Sequence, residues 1–137
     1  MVKISIPIAP VEQQRPRFTR GRFAHMYDPP KVKNYKSELM LRAKMRYSHK
    51  PLAGALKVCL DFYRPVQKSI SKKELSLRLT GAHRPTVKPD VDNYVKSTLD
   101  GLTGVLWVDD NQIVDLEAHK YYSDQPRIEI EVHEIDI

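Results

Sequence analysis

The segment Lys88-Pro89-Asp90-Val91-Asp92-Asn93-Tyr94-Val95-Lys96 leads through Leu99-Asp100-Gly101-Leu102 to Trp107-Val108-Asp109-Asp110-Asn111-Gln112. Between its two acidic pairs, Val95, Leu99 and Leu102 recur at i, i+4 and i+7, and Gly104 follows, so the spacing predicts a helix from Asp92 to Thr103. Asp90 and Asp92 then stand at a helix start, and Asp109 and Asp110 at the mouth of the next strand. Oxygen-only ligands of this kind suit Mg²⁺, with Mn²⁺ as a substitute, rather than Zn²⁺. Lys96, one turn beyond Asp92, can act as a point charge towards a phosphate or an attacking water.

Taken singly, each of these residues has a simpler reading. Asp90 or Asp92 could cap the helix and complement its dipole. Asp92 and Lys96 could be an ordinary i, i+4 ion pair, Asp100 could pair with Lys96, and Asp109-Asp110-Asn111 is a good turn sequence. Two acidic pairs bracketing one helix, with a lysine between them, are accounted for together by a metal site that hydrolyses phosphodiesters. Pro89-Asp90 also invites comparison with restriction-type nucleases, but no Asp/Glu-x-Lys triplet follows, because Asp109-Asp110-Asn111 lacks the lysine.

Outward from this segment the patterns alternate. Val2, Ile4, Ile6 and Ile8 predict a first strand; Leu56, Val58, Leu60 and Phe62 a second; Val114, Leu116 and Ala118, then Ile128 to Ile137, two more, expected as an antiparallel pair joined by the turn at Ser123-Asp124-Gln125-Pro126. Val32, Tyr35, Leu39 and Ala43 place a basic amphipathic helix from about Lys31 to Tyr47, and Ser71-Lys72-Lys73-Glu74 opens a short helix with Leu75 and Leu79 one turn apart. Residues 13–28 carry Arg15, Arg17, Arg20 and Arg22 among Phe18, Phe23 and Tyr27 and read as an exposed loop or short hairpin. The expected architecture is one α/β (α+β) domain over residues 1–137: a single mixed sheet of about four strands packed with about three helices.

The 137 residues carry a net charge of +6, unevenly spread: residues 1–50 hold twelve Lys/Arg against three Asp/Glu, and the remainder eleven against fourteen. A basic half beside an acidic half points to a polyanionic partner and to a cation held by the acids. One cysteine, Cys59, permits no internal disulfide, no apolar run approaches a membrane span, and Met1 to Ile8 does not read as a signal peptide, so a cytoplasmic location without membrane contact is expected. Cys59 reads as a small half-buried hydrophobe. His25, His49, His83, His119 and His133 fall at no zinc or HNH-like spacing.

Lys-Pro-Asp-Val-Asp-Asn-Tyr-Val-Lys at 88–96, Leu-Asp-Gly-Leu at 99–102 and Trp-Val-Asp-Asp-Asn-Gln-Ile-Val at 107–114 resemble, in order and spacing, the RusA family of Holliday junction resolvases of bacteria and their prophages. The likeness extends more weakly to Arg15-Pro16-Arg17 and the terminal strands. It departs in Pro89, where some members carry a second basic residue. The resemblance implies that Asp90, Asp92 and Asp110 bind Mg²⁺, with Lys96 as the fourth catalytic residue and Asp109 a helper. It also implies a homodimer that nicks a four-way junction symmetrically during recombination and repair. Arg15, Arg17, Arg20, Arg22 and Lys88 are the expected DNA contacts, with Lys33, Lys36, Phe18 and Phe23 available beside them. Two other classes are weighed against this one: a non-catalytic junction-binding accessory protein, and a hydrolase of small phosphate compounds, for which the arginine-rich half would be superfluous.

Overall fold

Leu56, Val58, Leu60 and Phe62 are all fully buried along one face of a strand spanning Leu56–Pro65, while Lys57, Cys59, Asp61 and Tyr63 lie on the other face. The computed structural model describes residues 1–21 and 23–135; the expected DNA contact Arg22 and the expected strand end at Ile137 lie outside the described residues. In chain order the elements are β1 (Val2–Ile6), β2 (Arg17–Phe18), β3 (Met26–Tyr27), α1 (Pro30–Arg46), β4 (Leu56–Pro65), α2 (Lys72–Leu79), α3 (Val91–Leu102), a 3₁₀ turn (Asp110–Gln112), β5 (Ile113–Ser123) and β6 (Arg127–Glu134). The fold is α+β, with a four-stranded mixed sheet in the order β1-β6-β4-β5 and a small two-stranded sheet of β2 and β3.

The last two strands depart from the expected pair. They run in opposite directions, but β4 lies between them, parallel to β5 and antiparallel to β6. The reason lies in burial. β4 alternates without interruption and belongs in the sheet interior, whereas β5 exposes Val114, Asp115, Leu116 and Glu117 and takes the edge. The turn at 124–126 therefore crosses two strand spacings, about 10 Å. It crosses at the end of β4, where Pro65 faces Ser123 on one side and Tyr63 faces Arg127 on the other. The parallel β4–β5 pair needs a long crossover, and that crossover holds α2, α3 and the acidic segment.

α1 and α3 cover one face of the sheet. α1 buries Val32, Tyr35, Leu39 and Ala43, as its spacing predicts. α3 instead buries Tyr94, Ser97, Thr98, Gly101 and Leu102, with the expected Val95 and Leu99 half-buried. Small residues face α1 because the helices approach closely: a Cβ on Gly101 would sit 2.9 Å from Leu39 Cδ2 and 3.3 Å from the Lys36 carbonyl oxygen. The buried hydroxyls in this contact are satisfied, Tyr35 with Thr98 at 2.8 Å and Ser97 donating to the Val11 carbonyl at 2.6 Å. α2 buries none of its side chains, so Leu75 and Leu79 stay at the surface. The Ser71 hydroxyl caps it by accepting from the Glu74 amide, but the Glu74 carboxylate turns to Arg78 and His83, leaving the capping box one-sided. The sheet face opposite α1 and α3 is polar and half-exposed.

Candidate active site

The buried side of α3 fixes what its other side presents. Tyr94 stacks on Phe62 of β4 with ring centroids 5.2 Å apart, and Ser97 and Thr98 are tied to the chain as above, which leaves Asp92, Lys96 and Asp100 as an exposed stripe at i, i+4 and i+8. Asp90 occupies the N-cap position with extended backbone, yet its carboxylate makes no capping hydrogen bond. The ion pair expected between Asp92 and Lys96 is also not formed. Neither the cap nor the ion pair is thus formed, and Asp92, in the first turn of α3, keeps only its favourable position towards the helix dipole.

Two cations that the sequence reading passed over hold this segment. Lys120 of β5 donates to the carbonyls of Val87 and Pro89 at 3.1 and 2.9 Å, and Arg64 of β4 donates to the Lys88 carbonyl at 2.9 Å. Burial and the neighbouring Arg64 push the Lys120 ammonium below its ordinary pKa, while the Asp90 carboxylate pulls it back. Arg64 and Lys120 occupy strand positions of the same parity as Phe62 and Ala118, where the alternation calls for apolar side chains. A cation at a core-facing position was the available signal. Lys31, Arg64, Lys88, Asp90, Asn93 and Tyr94 line an open cleft of about 620 Å³, and the buried Arg64 Nε–H has no hydrogen-bond partner among the described residues.

The second acidic pair divides its labour. Asp109 Oδ1 accepts from the Asn111 amide at 3.1 Å, while Gln112 Oε1 accepts from the amides of Val108 and Asp109 at 2.8 and 2.9 Å, a reciprocal capping box. The same Gln112 side chain donates to the carbonyls of Leu52 and Gly54, anchoring the turn beside β4. Asp109 therefore has a structural role. Asp110 stands next to it, and its carboxyl is pushed above the usual range by a hydrogen bond with Asp109, by burial, and by the charges of Asp109 and Asp100. A cation at such a group would relieve the crowding. Asp90, Asp92 and Asp110 do not gather as a trio with their oxygens within 4.8 Å of one another. Asp100, whose charge acts on Asp110, lies eight residues along α3 from Asp92, about 12 Å at 1.5 Å per residue.

Asp100 also accepts from Lys36 Nζ at 3.0 Å, and Lys36 bonds Asp28 at 2.7 Å. Asp28 closes the base of the basic arm. Lys36, then burial, then Gln13 govern its carboxyl, with the net effect of holding it below the ordinary carboxylate range. Within the arm, β2 pairs with β3, and the Thr19 hydroxyl accepts from the His25 amide at 2.8 Å, closing a hairpin around Gly21, whose φ of 127° needs a glycine. Arg15, Arg17, Arg20 and Lys88 are exposed and form no ion pair with a described residue, and Phe18, Phe23 and Met26 stand out beside them.

The family model described as "Endodeoxyribonuclease RusA" matches residues 7–133. The chain is 39% identical over 137 residues, covering 98% of itself and 96% of its relative, to the Bacillus subtilis (strain 168) protein named "Uncharacterized protein YqaN". A shorter match, 45% identical over 51 residues, covers 36% of the chain and 39% of the "Crossover junction endodeoxyribonuclease rusA" of Lactococcus phage r1t.

Proposed function

Since the chain belongs to the RusA endodeoxyribonuclease family, we propose that it resolves four-way DNA junctions by paired, symmetric, Mg²⁺-dependent nicks, as a homodimer acting in recombination and repair. Asp90, Asp92, Lys96 and Asp110 are its catalytic residues in this reading. A prophage origin and a cytoplasmic setting, where junctions arise, belong to the same proposal. The observation that carries it is the set Asp90, Asp92 and Lys96: charges in the first turns of one helix, none spent on a cap or an ion pair, of which Asp90 lines a cleft together with Lys31, Arg64 and Lys88.

The donor set fits Mg²⁺, being carboxylate oxygens with exposed positions left for water, and the crowding that raises Asp110 is what a hard cation relieves. Asp90, Asp92 and Asp110 would hold the ion. Bound there, Mg²⁺ supplies charge neutralisation at the scissile phosphate and a water of lowered pKa. The protein's own groups do the rest. Lys120 and Arg64 fix the backbone that presents Asp90, and Lys96 faces the incoming phosphate as a point charge. Arg64 and Lys88, which line the cleft, offer it positive charge for a phosphodiester oxygen. Arg15, Arg17 and Arg20 extend the positive surface along a DNA arm.

The ligand oxygens of Asp90, Asp92 and Asp110 do not share one 4.8 Å shell within a chain, and in this reading the homodimer supplies what is missing: the acidic turn of one copy completes the site at the α3 start of the other. The test is nicking of an end-labelled synthetic junction, with linear duplex as control, in Mg²⁺ and in EDTA. Symmetric nicks in Mg²⁺ alone, lost in Asp92→Asn and in Asp110→Asn, support the function. Junction binding without cutting by the parent protein, in any metal, would replace it with the accessory role. Mixing the two inactive variants addresses the dimer: a shared site restores one active centre per mixed dimer, and sites confined to single chains restore none.

A further inference from the structure

On the sheet face opposite α1 and α3, Cys59 and Asp61 stand two residues apart on β4, and Asp61 pairs in register with His119 of β5. Alternation puts all three side chains on that one face. Their ligand atoms lie within 4.8 Å of one another, with His119 Nδ1 2.8 Å from Asp61 Oδ1. We propose that Cys59, Asp61 and His119 bind a zinc-class transition-metal ion on the open face of the sheet.

Three arguments converge on this ligand class. A thiol, an imidazole and a carboxylate form a mixed soft and borderline donor set, which selects Zn²⁺ or Co²⁺ over Mg²⁺. The geometry needs little change: with Zn–S of about 2.3 Å and Zn–N of about 2.0 Å, tetrahedral ligands sit roughly 3.6 Å apart. Side-chain rotation closes that gap, because strand register already holds the three Cα positions. Burial, then Asp61, Glu117 and Glu131 against Lys57, hold the Cys59 thiol above its ordinary range, and the same three carboxylates draw a cation to this face. All three proposed ligands are half-buried, which leaves a fourth position for water.

The chain has a single cysteine, so any thiolate-to-metal absorption reports on Cys59. The test is Co²⁺ titration of the full chain under reducing conditions with millimolar Mg²⁺ present. The expected result is a near-ultraviolet charge-transfer band saturating at one Co²⁺ per chain and lost when one equivalent of Zn²⁺ is added. His119→Gln and Asp61→Asn, with circular dichroism matching the parent, should each weaken binding at least about tenfold. Absence of the band would overturn the proposal. So would a band that both variants leave unchanged, which would mark casual binding to an isolated thiol. Neither outcome bears on the Mg²⁺-dependent nicking.

Discussion

Replacing Lys36 with Met keeps most of its buried stem and removes the charge that joins Asp28 to Asp100. The two bonds differ in environment. The Lys36–Asp28 pair is short, 2.7 Å, with side chains 19% and 25% exposed, whereas Asp100 is 47% exposed and well screened. A charge-assisted bond of the first kind contributes about 1–2 kcal/mol, and the second, discounted for solvent, roughly 0.3–0.5 kcal/mol. Lys36→Met should therefore cost about 2 kcal/mol, or roughly 6–8 °C in Tm for a domain of this size. A double-mutant cycle with Asp28→Asn, read by urea unfolding at one fixed protein concentration, isolates the larger share.

The pH dependence fixes the signs. Asp28 is held below its ordinary value of 3.8, so its contribution is present above about 3.8 and is lost as pH falls through the lower folded value. For Lys36, burial alone would lower the pKa, but the bonds to Asp28 and Asp100 outweigh it and the group sits above its ordinary value of 10.5. Its contribution is full below about 10.5 and is lost as pH rises through the folded value. The coupling should be flat between these limits. A cycle energy below about 0.3 kcal/mol at pH 7 would show the pair to be ornamental. A Lys36–Asp100 coupling larger than that of Lys36–Asp28 would overturn the burial argument. Because Asp28 closes the base of the basic arm, the same variant should weaken junction binding, measured by gel shift.

Asp90→Asn should change unfolding free energy by less than about 0.5 kcal/mol, because the carboxylate caps nothing, whereas Ser71→Ala, which removes a real cap, should cost about 1 kcal/mol; equal losses in urea titrations would refute the assignment. Gln112→Ala removes four hydrogen bonds, two that close the acidic turn and two that anchor it to the Leu52 and Gly54 carbonyls ahead of β4, and should cost about 2–3 kcal/mol. It should also slow nicking at saturating Mg²⁺, and parent-like stability would show that the turn holds without it. If Arg17 and Arg20 contact phosphates, converting each to Gln should flatten the plot of log K against log salt by about 0.9, and an unchanged slope for both would remove the arm from the DNA interface.

How much of this was legible in the sequence depended on which physical signal each feature left behind. β4, α1 and the position of α3 were readable because burial on one face imposes a period on the chain. The order of strands was not, since alternation records which face a residue points to and says nothing about the neighbour it pairs with. The reading that joined β5 to β6 across a good turn followed sequence proximity, and the more deeply buried β4 displaced it. α3 was located correctly and its apolar stripe does meet the core, Leu102 fully and Val95 and Leu99 partly buried, but its most deeply buried residues also include small and polar ones. Contact with α1 favours Thr98 and Gly101, and contact with Val11 favours Ser97, small residues that carry no hydrophobic signature.

The same limit governs sites. Asp90, Asp92 and Lys96 were visible because consecutive residues on one helix turn are close in space, so linear spacing is a proxy for geometry there. That proxy fails for strands. Arg64 and Lys120 both hold the segment that presents Asp90, yet they lie far apart in the chain, and their only trace was charge at core-facing positions. Cys59 and His119 fail every zinc spacing rule for the same reason: they are sixty residues apart, and what brings them together is the β4–β5 register. A spacing rule detects ligands donated by one turn or hairpin. For ligands on strands joined by a crossover, the discriminating quantity is the register, which becomes known only when the sheet is built.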